Sequence, residues 1–147
     1  MFYILSDTEV ALNELLVACR ASIDHYEAAC ELIGDEDKIT LFRSITNQRT
    51  DLSEQLAAAI RELGDLPAAP DPDKETSEML IEHLGASLSE NDADYIMSQR
   101  IKAEEQLQSL VDKAREMERE LSEGHRALLI DLSKHIDETI KALLLNQ

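Results

Sequence analysis

The stretch from Ser6 to Gly34, SDTEVALNELLVACRASIDHYEAACELIG, decides the fold. It opens on Ser6-Asp7-Thr8-Glu9, a serine followed three residues later by a glutamate. In that pattern the two side chains cap each other's backbone N–H groups at a helix start. Leu12, Leu15, Leu16, Cys19, Ile23, Tyr26, Cys30 and Ile33 then recur at i, i+3 and i+4 spacing, so they share one helical stripe. Gly34 offers a C-terminal stop. The spacing predicts a helix over about 7–33.

The same grammar repeats downstream. Asp35-Glu36-Asp37 supplies a turn and places negative charge at the start of the next helix. That helix is expected over about 38–63, with Leu41, Ile45, Leu52, Leu56, Ala59 and Leu63 inward, and it ends at Gly64. A third long helix covers about 92–120 on Ile96, Ala103, Leu107, Leu110, Val111, Ala114 and Met117. A fourth starts at Ser122-Glu123 and runs to about 145, with Leu129, Leu132, Ile136, Ile140 and Leu143 inward, together with His125. All 3 prolines of the chain fall in the linker 64–73, which cannot be helical. An extra short helix is expected over 74–88, carrying Leu80, Ile81, Leu84 and Leu88.

Short loops join helix one to two and helix three to four, so those pairs are antiparallel neighbours. The connection between helices two and three is about 30 residues long. If it runs the bundle's length, the arrangement is ferritin-like; an up-down-up-down bundle also fits. The expected fold is therefore all-α: a single domain over 1–147, a ferritin-like four-helix bundle with an extra short helix in that connection.

Composition agrees. The chain has 147 residues, 44% of them apolar, with 4 Gly and 3 Pro. That is too apolar for an acidic disordered chain and too poor in turn residues for a β sandwich. The net charge is −17. Such a surface repels phosphate backbones and anionic headgroups, which argues against nucleic acid and membrane surfaces as partners. Over half of that charge lies in 62–94, where ten acids face one lysine. Met1 to Leu5 is too short for a signal peptide, and no apolar run approaches a membrane span, so a cytoplasmic protein is expected. Cys19 and Cys30 lie eleven residues apart on one helix, roughly 16 Å, beyond disulfide reach. They read as reduced, buried small residues.

A di-iron or di-manganese bundle needs Glu-x-x-His on two of its helices. The residues three before His25, His83, His125 and His135 are Ser22, Leu80, Ser122 and Leu132, so the motif is missing. His25 and His135 fall off the core stripes and read as solvated. What the core stripes do carry is charge. Gln48 and Arg49 stand in the middle of the helix-two stripe, and Arg100 and Glu104 share the inward face of helix three. Glu27 leans toward the interior side of helix one. Two readings follow. Glu27 and Glu104 are candidate ligands for a divalent metal. Alternatively, Gln48, Arg49, Arg100, Glu104 and Glu27 form an internal polar layer in which the arginines neutralise the glutamates, since a buried guanidinium needs a carboxylate. No catalytic residue or cofactor-binding motif is identified. A second, weaker apolar set on helix one (Val10, Val17, Ala21, Ala28) suggests a homodimer or another protein partner.

Several segments resemble a bacterial domain-of-unknown-function family of small ferritin-like four-helix bundles. They are Ala11 to Cys19 with Tyr26-Glu27-Ala28-Ala29, then Gln48-Arg49, Leu52, Glu54, Leu56 and Arg61-Glu62-Leu63-Gly64. The Pro-containing linker, the short helix and Glu104-Glu105 fit as well. The resemblance spans about Leu12 to Leu143. It implies a ferritin-like bundle in a bacterial cytoplasm with no assigned activity. It also implies an acid two or three residues after the helix-one cysteine, where this chain has Ala21 and Ser22, and a helix-four histidine, a place that His135 or Asp137 would hold. The expected function is a non-enzymatic, oligomeric or partner-binding module, with a ferritin-like iron, manganese or zinc protein as the alternative.

Overall fold

A computed structural model of the chain describes residues 6–64 and 90–147. The described residues form four long helices and no strand: α1 (Asp7–Leu32), α2 (Glu36–Glu62), α3 (Glu90–Arg115) and α4 (Glu123–Leu145), with a 3₁₀ turn at Glu118–Glu120. The expected short helix over 74–88, and all but the first residue of the linker 64–73, lie outside the described residues.

The helix ends follow from local chemistry. The Ser6 hydroxyl accepts from the Glu9 N–H at 3.2 Å, as the capping pattern requires. Asp35 caps α2 by accepting from the N–H groups of Asp37 and Lys38, and Ser122 caps α4 by accepting from that of His125. α2 stops where Gly64 turns into the left-handed region at φ +88°, a conformation that costs glycine little. The first helix ends differently from expectation. Ile33 turns to extended backbone at ψ 125°, and Gly34 takes no left-handed conformation. Lys113 and Arg115 sit in the last turn of α3, where the exposed carbonyls favour cations.

Contacts between side chains give the helix directions. Thr8 and Glu14 at the start of α1 meet Glu120 and Lys113 beyond and near the end of α3, while Tyr26 meets Glu104 further back. On the other side, Glu62 meets His125, and Arg49 meets His135. α1 thus runs antiparallel to α3, and α2 antiparallel to α4. Around the bundle the neighbours are α1–α2, α2–α4, α4–α3 and α3–α1. α2 finishes at one end of the bundle and α3 begins at the other.

Two apolar clusters fill the interior. One gathers Leu12, Leu15, Leu16, Leu56, Ile60, Leu107, Val111, Leu129 and Leu132 with their neighbours. The other gathers Tyr26, Phe42, Ile45, Ile96, Met97, Ile101 and Leu143. Each fully buried large side chain contributes roughly 1.5–3 kcal/mol. Met97 and Ile101, which fall off the α3 stripe in a single-stripe reading, are buried. Each helix here faces two neighbours, so its apolar arc is wider than one stripe. No helix among the described residues is long and apolar enough to cross a membrane.

Candidate functional site

Between the two apolar clusters lies a polar layer built from all four helices. Its centre is Arg49 of α2, which is fully buried, and Glu104 of α3, which is 1% exposed. The guanidinium grips the carboxylate with both prongs: Nη1 donates to Oε1 at 2.5 Å and Nη2 to Oε2 at 2.7 Å. Nη1 also donates to Ser22 Oγ of α1 at 3.0 Å, and Nε donates to His135 Nε2 of α4 at 3.3 Å. Tyr26 of α1 donates its hydroxyl to Glu104 Oε1 at 2.7 Å. Both carboxylate oxygens are therefore engaged.

This network dictates protonation. Arginine is always a donor, so His135 Nε2 accepts and Nδ1 carries the proton. Nδ1–H then donates to Gln48 Oε1 at 3.2 Å. Burial and the Arg49 cation hold His135 down, to about 4, so its ring is neutral near pH 7. Burial and the adjacent Glu104 carboxylate hold the Tyr26 phenol well above its ordinary range, which keeps it a donor. Burial pushes the Cys19 thiol up to about 12 against the opposing pull of Arg49, so it stays neutral. Burial works against the Arg49 charge, and the Glu104 carboxylate outweighs it, so the Arg49 pKa is raised.

Arg100 is the second buried arginine, 8% exposed. Its guanidinium carbon sits 5.4 Å from the centroid of the Tyr26 ring, while that of Arg49 sits 5.7 Å from the same centroid. Among the described residues Arg100 makes no ion pair, and its buried Nη1 has no hydrogen-bond partner. Burial lowers its pKa despite the attraction of Tyr26 and Glu104.

The structure brings Arg49, Arg100 and Glu104 into one layer, with Gln48 exposed at its rim. It does not bring Glu27 in: that side chain is exposed, and the carboxylate expected to share a metal or an arginine with Glu104 faces solvent. Among the described residues no group of three or more His, Cys, Asp or Glu side chains is placed to hold a metal ion. Cys19 and Cys30 are free thiols, the first buried and the second half-buried.

Two members of the layer, His135 and Ser22, escape a single-stripe reading, and a third, Tyr26, shows only half of its role. His135 reads as solvated from sequence and is buried at 6% exposure. The signal lies in Leu128, Leu132, His135 and Thr139, a second run at helical spacing beside the first. Ser22 is buried and bridges Arg49 to the Cys19 carbonyl oxygen, to which it donates at 2.7 Å. Tyr26 is legible as a core residue, but its hydroxyl partner is not. His125 is half-buried and pairs with Glu62 at 2.6 Å.

No family model, curated protein or solved structure matches this chain.

Proposed function

We propose that the chain is a non-enzymatic helical-bundle module that works by association, with the buried Arg49–Glu104 layer fixing how its helices register. The observation that carries this reading is the state of Glu104. Arg49 takes both of its oxygens and Tyr26 takes Oε1 again, so three of the carboxylate's roughly four acceptor positions are filled by the protein itself, which argues against a metal-binding or proton-transfer role. Desolvation offsets much of the attraction in a buried ion pair, so we assign this one to fixing helix register rather than to net stability.

A ferritin-like crossover is the topology we infer. It is supported by α2 ending and α3 beginning at opposite ends of the bundle, and by those two helices not being neighbours. Kinship with the small ferritin-like bundle family is part of the same proposal. The associating partner we favour is a second copy of the chain, seated on the outer face of α1. Val10 and Val17 stand exposed there at 39% and 47%. Ala28, expected on that face, is buried and contributes nothing to it.

Sedimentation equilibrium and metal analysis of the purified protein test the proposal together. We expect a dimer that Val17→Glu dissociates, no stoichiometric Fe, Mn or Zn, and no change in Tm when these ions are added. Stoichiometric metal with a large rise in Tm would establish the ferritin-like metal protein instead.

A further inference from the structure

A cleft of about 350 Å³ runs between α1 and α3, on the flank where Arg100 lies. Ser22 and His25 of α1 and Gln99, Arg100 and Lys102 of α3 line one end of it. Ala18, Leu107 and Leu110 line the other end. None of its lining residues is acidic, in a chain whose net charge is −17. On such a protein a groove lined by two cations and no carboxylate is a local departure from the charge of the rest of the chain.

The polar layer beside it supplies no spare counter-charge to the cleft's Arg100 among the described residues. Arg49 and Glu104 cancel, the rings of His135 and Tyr26 are neutral, and Arg100 remains as an uncompensated buried cation among the described residues. A buried guanidinium without a carboxylate is costly, and the usual remedy is an anion whose oxygens match its planar fork. The cleft volume falls in the range of ligand pockets and suits a molecule of about ten non-hydrogen atoms.

We propose that this cleft binds a small amphiphilic anion. Its oxyanion headgroup, carboxylate or phosphate, pairs with Arg100, and its apolar body lies along Ala18, Leu107 and Leu110. Ser22 already accepts from Arg49 and donates to Cys19, so it forms the wall of the cleft and leaves the headgroup to Arg100, Lys102 and Gln99.

The test is isothermal titration of the full chain with octanoate, mono-octyl phosphate, inorganic phosphate and 1-octanol, paired with NMR shift mapping. Saturable binding of one octanoate or octyl phosphate per chain is expected, with shifts confined to 18–25 and 99–110. The tighter of the two names the headgroup. Octanol and inorganic phosphate, each lacking one half of the ligand, should bind at least about tenfold more weakly. Arg100→Gln should weaken binding at least about tenfold, and Arg100→Lys should recover part of it, since a lysine keeps the charge without the fork. Ala21→Leu fills the cleft while leaving Arg100 in place, so it should abolish binding in a chain whose Tm is unchanged. Equal affinity for octanol, undiminished binding to Ala21→Leu, or no saturable binding of either amphiphile would overturn the proposal.

Discussion

Arg49 and Arg100 both stand close to the centre of the Tyr26 ring, at 5.7 Å and 5.4 Å, yet their surroundings differ in one respect. Arg49 holds a carboxylate with both prongs and reaches a serine and a histidine besides. Arg100 holds no carboxylate among the described residues and keeps a buried Nη1 without an acceptor. The difference teaches that burial alone does not tell what a charge does for a fold. One of these arginines is a partner whose loss strands another charge. The other is a charge whose removal strands no partner among the described residues.

The sharpest way to break that comparison is Arg49→Leu. It leaves Glu104 without its ion-pair partner in the interior, and should cost about 3–5 kcal/mol in denaturant unfolding. Arg49→Leu combined with Glu104→Leu should recover most of the loss, because the desolvation of both charges vanishes together. A double variant as unstable as the single one would show that the pair does not act as a pair.

Acid comes next. His135 is held at about 4 in the folded state, below its ordinary 6.5. The folded chain therefore refuses a proton that the unfolded chain accepts, and its stability falls as pH drops from about 6.5 toward 4. This term should reach up to about 3 kcal/mol, and His135→Gln should flatten it in a pH series of unfolding curves. A wild-type profile that does not change between those limits would contradict a neutral buried ring.

Tyr26→Phe removes a donor from Glu104 Oε1 while Arg49 Nη1 still serves that atom, so a smaller cost of about 1–2 kcal/mol is expected. Smallest is Arg100→Met, which keeps the stem that packs on Tyr26 and deletes the uncompensated charge. Its stability should stay within about 1 kcal/mol of the parent, on either side. A loss as large as that of Arg49→Leu would reveal a carboxylate partner for Arg100.

Much of this was readable from the chain. Ser6, Asp35 and Ser122 announce helix starts because short polar side chains there satisfy N–H groups that no helix can. Arg49, Arg100 and Glu104 announce a polar layer because they interrupt apolar stripes. The rest required knowing which helix stands beside which. Glu27 lies one residue from Tyr26 on α1, and only the α1–α3 register decides that Tyr26 meets Glu104 while Glu27 meets water. His135 hides for a related reason. A helix packed against two neighbours buries more than one stripe, and a single stripe drawn on α4 excludes it.

The layer touches every helix: Ser22 and Tyr26 on α1, Arg49 on α2, Glu104 on α3, His135 on α4. It lies between the two apolar clusters, so no helix can slide by one turn, about 5.4 Å, without releasing the bonds it makes to the layer. Two modest cores are thereby made to open as one unit. In hydrogen exchange the amides flanking these residues should share a single, slowest rate across all four helices, while the helix ends exchange ahead of them by fraying.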